Sequence, residues 1–323
     1  MHLTLGILRQ SQAVFYALSF FWLDGFAVPT PAQVTQTVGQ LLAIITTNML
    51  TVKETLPDFW MFSKRIANDL QNGQFPDKDS LIQQILPLLD KDYVEKTNQV
   101  IPGWKTIANL NDGQTALHTF LVFTLCLNLN EYLLADEQTR LEIEWAAILH
   151  DLDKKIARQD TAHPFRSAAI ASQIMPSLGF ELAPNISKTD IDSWANLVMT
   201  AQRPDGARMI HDHSSLLEIV KGIHTCWGND TSPSRILKAV LFHQSLPTLK
   251  EWSNPVLLTD KELAFSLTLN DMNILGALMI ADSDSWAIFS EVRNSYLYEL
   301  RQNIAETRNK IQNVVKLGES SSQ

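Results

Sequence analysis

The stretch WAAILHDLDKK, residues 145–155, sets a histidine and an aspartate side by side where an apolar run gives way to charge. The preceding LEIEWAAILH reads as a helix that His150 closes, which places the imidazole at the rim of the core, and Asp151 begins the turn. A helix C-terminus favours nearby positive charge, and a divalent cation satisfies that preference. A second His-Asp pair, His211-Asp212, lies in the polar stretch RPDGARMIHDHSS and reads as a surface loop entering a helix. The dipeptide alone therefore carries little weight, and its context decides.

Outward from this stretch nearly every segment reads helical. TALHTFLVFTLCLNLNEYLL forms one strongly apolar helix, separated from the next by ADEQTR. Thr30-Pro31 and Ser232-Pro233 each pair an N-cap with proline at the first helical position. Ser187 to Asp190 and Thr259 to Glu262 fit capping boxes. A long amphipathic helix is expected from about Ala287 to Leu317, ending in a polar, disordered tail. With no alternating strand pattern, Gly-rich phosphate loop or internal repeat, the fold class is all-α. Residues 1–110 form a helical extension, 111–300 the core domain, and 301–323 the end of the last helix and the tail.

Composition narrows the function. The chain of 323 residues is 45% hydrophobic and 19% charged, which suits a buried core. Its formal net charge of −9 argues against a sequence-independent grip on nucleic-acid phosphates. A nucleotide substrate stays open, because a bound divalent metal supplies its own positive charge. Cys126 and Cys226 read as reduced core cysteines. The apolar run Ala13 to Leu23 is too short to span a bilayer, and Asp24 interrupts the stretch. It reads as a buried first helix rather than a signal peptide, which implies a cytoplasmic protein, with membrane docking of the N-terminal helices left open.

Three further residues stand where His150 stands, at polar positions on otherwise apolar helices. His118 lies on the preceding helix, His243 ends ILKAVLFH, and Asp282 ends an apolar run in NILGALMIADSDSW. A buried carboxylate is expensive unless it is paired or binds metal. Convergence of several such ligands is what a metal site needs. His211 and His224 read as surface or packing residues, and the tryptophans, Trp145, Trp194, Trp252 and Trp286 among them, as core.

The order His118, His150-Asp151, Asp282 resembles the H…HD…D signature of the HD-domain superfamily of metal-dependent phosphohydrolases. AAILHDLDK is similar to that family's helix-ending HD with a lysine three residues on, although Asp153 replaces the more usual glycine. HPFRSAAIASQI resembles the following histidine-led helix, and ALMIADSDSW the helix of the last aspartate. The resemblance covers roughly residues 111–295. It implies an HD-like helical bundle with one or two divalent cations per chain, manganese, magnesium, cobalt or nickel, with iron as a further choice. His118, His150, Asp151 and Asp282 would hold them, with His243 and one more histidine. His163 fits that place by local pattern and His213 is the alternative, while Gln202 stands where a second histidine is expected after His163.

The implied activity is hydrolysis of a phosphoester, such as that of a nucleotide or cyclic nucleotide, with Asp151, Lys154 and Asp282 in catalytic roles. Lys154, Arg166 and Arg203 are the candidates to bind the substrate phosphate. The alternatives are an HD-type di-iron oxygenase, an HD nuclease, which the acidic charge disfavours, and a non-catalytic signalling module.

Overall fold

The computed structural model describes residues 50–155, 160–205, 208–248 and 257–320. The helices expected from Ala13 and from Thr30-Pro31 lie outside these residues, as does Trp252. The fold is all-α. In chain order the helices are α1 (Val52–Thr55), α2 (Pro57–Gln71), α3 (Lys78–Ile85), α4 (Lys91–Val100), α5 (Trp104–Asn109), α6 (Gln114–Cys126), α7 (Asn130–Leu133) and α8 (Glu137–Leu149). After α9 (His163–Ile174) and α10 (Lys188–Thr200) come two short strands, β1 (Gln202–Asp205) and β2 (Arg208–His211). The chain then forms α11 (Leu216–Trp227), α12 (Ser232–Phe242), α13 (Asp260–Ser266), α14 (Asp271–Ala287) and α15 (Arg293–Ser320).

The centre of the fold is α6, α8, α12 and α14, with α9 packed on α12. Helix α6 is buried from Thr115 to Cys126, and most of α14 is buried as well. Apolar residues lie around most of each helix and not on a single stripe, so both are largely surrounded. Gly113 starts α6 with a φ of +82°, and a Cβ there would lie 2.3 Å from Leu89 Cδ1. A side chain at this position would be strained by the backbone and would have to push the Leu89 methyls aside. Polar ties fix the central helices against one another. Arg235 Nε on α12 donates to Glu142 Oε2 on α8 at 2.9 Å, and Lys238 on α12 pairs with Asp271 on α14 at 3.0 Å, fully buried.

The described part of the expected extension belongs to this packing. From Leu50 onward the chain forms one compact unit. Phe59 on α2 meets Trp104, Phe120 and Phe123 edge to face at centroid distances of 5.7, 5.3 and 5.1 Å. Each such pair contributes about 0.5–1.5 kcal/mol beyond its buried area, so a boundary near residue 110 separates no packing.

Two expectations are corrected. Residues 202–205 and 208–211 pair as antiparallel strands, Gln202 with His211 and Asp205 with Arg208, where no strand was read. Four-residue strands are too short to show alternation, and the Asp-Gly pair was the available signal. The last helix begins at Arg293, because Arg293 turns back to clamp Asp284 with Nε–Oδ1 of 2.6 Å and Nη2–Oδ2 of 2.7 Å across the break. It then runs to Ser320, past the expected end at Leu317. A single glycine costs a helix only about 1 kcal/mol, so Gly318 does not stop it. Among the described residues no single helix is long and apolar enough to cross a membrane.

Candidate metal centre

Five packed segments each deliver one part of a buried cluster. His118 comes from the first half of α6, His150-Asp151 from the end of α8, His163 from the first position of α9, His243 from the end of α12, and Asp282 from α14. Asp151 is the hub. Its Oδ2 lies 3.6 Å from both His118 Nε2 and His150 Nε2, while its Oδ1 lies 2.9 Å from His163 Nε2 and 3.9 Å from His243 Nε2. Two sets of donors result, His118–His150–Asp151 and Asp151–His163–His243, and in each the ligand atoms fall within 4.8 Å of one another. Asp282 Oδ1 lies 3.0 Å from His118 Nε2 and extends the first set.

The four imidazoles are held in one tautomer. His150 Nδ1 donates to Ala147 O at 2.8 Å, His243 Nδ1 to Val240 O at 2.7 Å, and His163 Nδ1 to Asp160 O. His118 Nδ1 donates to Ser285 Oγ at 2.9 Å, and that hydroxyl in turn donates to Asp282 O at 2.6 Å. A carbonyl can only accept, so the proton sits on Nδ1 and the Nε2 lone pair is free to bind. Metal-ligating histidines are oriented by this kind of partner. The Nε2 atoms of His118 and His150 are buried without a hydrogen-bond partner. Such orphaned acceptors are costly, and a cation between them removes the cost. The residues present therefore fit one or two divalent cations.

Electrostatics agree with the geometry. Burial pushes the His150 and His243 imidazoles toward the neutral form that a metal requires, His243 down to about 3 with His150 and His163 beside it. Burial works against the Asp151 carboxylate, but the Lys154 ammonium beside it outweighs that and holds the group well below the usual carboxylate range. The same balance, through His118, His150 and His243, keeps Asp282 ionised. Lys154 Nζ lies 2.8 Å from Asp151 Oδ2. Burial opposes its charge, and Asp151 and Asp282 more than restore it.

The remaining sequence candidates fall elsewhere. His213 follows β2, where its Nδ1 faces Glu262 Oε1 at 3.1 Å, so His163 is the histidine brought to the cluster. Arg166 is buried and engaged by protein. Its Nε reaches Asp153 Oδ2 at 3.2 Å, its Nη1 Gln202 Oε1 at 2.9 Å, and its Nη2 Asp153 O at 3.0 Å and the Asp160 carboxylate. It braces the turn after His150-Asp151 instead of offering a free phosphate ligand, and Gln202 serves it. Arg203 is exposed on β1. His211, read as a surface or packing residue, is buried and stacked on Phe165 at 3.7 Å between centroids.

Three contributors escaped the sequence reading. Ser285 sits three residues after Asp282, a spacing that puts both on one helix face and was legible. Asp160, which orients His163 and holds Arg166, has no sequence signal of its own. Trp286, read as core, is 58% exposed and stacks on His118. Comparison with known proteins returns no match: no family model, no curated protein and no solved structure aligns with this chain.

Proposed function

We propose that this chain is a divalent-cation-dependent phosphohydrolase that cleaves a phosphoester bond, with nucleotides and cyclic nucleotides as the substrate class. The observation that carries the reading is the division of Asp151, one carboxylate shared between two histidine sets. A carboxylate shared between two nitrogen-rich donor sets would suit a two-metal hydrolytic site. Cations bound here would supply a water acidified to near neutral pH and positive charge on the phosphoryl oxygens.

The chain's own residues do the rest. The fixed Nδ1 hydrogen bonds hold the imidazoles in place, so nothing reorganises during reaction. Lys154, charged and directed at the centre, offsets phosphoryl charge once substrate enters. Asp282 is the more exposed carboxylate, its side chain 17% accessible against 0% for Asp151. Ionised at that edge, its carboxylate would accept a hydrogen bond from the attacking water and align it.

The test is hydrolysis of bis(4-nitrophenyl) phosphate and of a nucleotide panel after loading with manganese, cobalt, nickel or magnesium. Wild type is expected to turn over at least one substrate, His150→Ala none, and Lys154→Met about 10²-fold more slowly with its metal retained. Equal residual rates in wild type and His150→Ala would sink the proposal. Four imidazoles and two carboxylates also suit iron. About two irons per purified chain, with oxygen uptake in place of phosphate release, would favour the oxygenase alternative.

A further inference from the structure

The candidate centre opens to solvent at one edge. The side chains of His150, Asp151, His163 and His243 are 0–1% accessible, whereas His118 reaches 6% and Asp282 17%. Among the described ligands, His118 and Asp282 are the ones a substrate reaches first. Trp286 stands at that edge, one helical turn beyond Asp282 on α14. Its indole lies over the His118 ring at 4.8 Å between centroids and 28° between planes, and the Lys78 ammonium lies 5.5 Å from its centroid.

Resting on the phosphoester reading above, we propose that Trp286 is the platform on which a planar aromatic group of the substrate stacks. Preferred substrates are then phosphoesters that carry a nucleobase or another aryl group near the reacting phosphorus. A side chain serving only to cover His118 would be spent on that contact. Trp286 keeps 58% of its surface in water at the entrance, although the other large aromatics near the core, Trp104, Trp145 and Trp227, are fully buried. The His118 contact also fixes the indole plane in advance, so stacking on it costs little ordering entropy. Lys78, an exposed side chain over the ring, swings off the indole when the aromatic group stacks and then supplies a cation at the same edge, suited to an aromatic group tethered to an anion.

The experiment compares two non-hydrolysable ligands of equal reach, 2-phenylethylphosphonate and 2-cyclohexylethylphosphonate, titrated calorimetrically into the manganese-loaded full chain. Both are apolar phosphonates, and only the first has a π face. Wild type is expected to bind the phenyl compound about tenfold tighter, since base–aromatic stacking is of that order. Trp286→Leu, which keeps an apolar cover on His118, brings the ratio to about one, while Trp286→Phe retains most of the preference. Metal content measured on each sample shows whether the centre is intact, and the ratio cancels any change in phosphonate affinity. A wild-type ratio near one, or a preference that survives Trp286→Leu, overturns the stacking proposal and leaves the phosphoester reading standing. Binding of neither phosphonate to wild type overturns both.

Discussion

Asp151 Oδ1 lies 2.9 Å from His163 Nε2, while the other oxygen of the same carboxylate faces His118 and His150. One side chain thus belongs to two donor sets, and removing it should have a larger effect than removing any histidine. Elemental mass spectrometry is expected to find about two divalent ions in wild type, about one in His163→Ala, and close to none in Asp151→Ala. Equal losses in the two variants would mean that the sets are not joined through Asp151.

Ser285 is not itself one of the ligands, yet it fixes the His118 ring through Nδ1. Ser285→Ala should weaken metal affinity by about 10–100-fold with the unfolding midpoint of the metal-free protein little changed. Competition with a coloured chelator measures the first and urea denaturation the second. An unchanged affinity would show that Trp286 alone suffices to hold His118.

His211 gives the metal-free protein an acid sensitivity. Burial, with His213 beside it, pushes its imidazole down to about 3. In the unfolded chain it titrates near the ordinary histidine value, so between that value and about pH 3 the unfolded state binds more protons. Stability is therefore complete above about pH 6.5 and falls as the pH drops, by about 2 kcal/mol from this group at pH 5. Both ring nitrogens lack a partner, so His211→Phe loses no hydrogen bond and keeps the stack on Phe165. Urea midpoints at pH 5 and pH 7 should differ less in this variant than in wild type. An identical pH dependence would contradict the assignment.

Arg166 is read here as a brace. Its buried guanidinium serves Asp153, Asp160 and Gln202 together. Removing one partner of such a network leaves carboxylates buried and unpaired, so Arg166→Ala should cost about 3–5 kcal/mol in urea unfolding. Arg166→Lys should recover little, since an ammonium cannot reproduce the planar fork. Near wild-type stability in Arg166→Ala would return the residue to the list of phosphate-binding candidates.

Much of the centre was legible because its ligands occupy a position that sequence can show. His118, His150, His243 and Asp282 are polar interruptions of apolar helices, and the energetic cost of burying such groups marks them wherever the helices meet. The helices themselves follow from local terms, apolar periodicity and N-caps such as Asp136, whose side chain accepts from Thr139 N at 2.7 Å. The choice between His163 and His213 was a different matter. Both lead helical segments after polar stretches, and the local pattern only ranked His163 ahead of His213. Packing of α9 against α12 decides it by setting His163 Nε2 3.2 Å from His243 Nε2.

The sequence by itself determined an all-α chain with polar groups placed where apolar helices end or turn inward, because these are consequences of short-range periodicity and of the cost of burying polar atoms. Only the tertiary structure decided which of those groups converge, that Arg166 is consumed by Asp153 and Asp160, and that Trp286 is left at the entrance. Those outcomes depend on the relative placement of helices distant in sequence, and no local pattern carries that information.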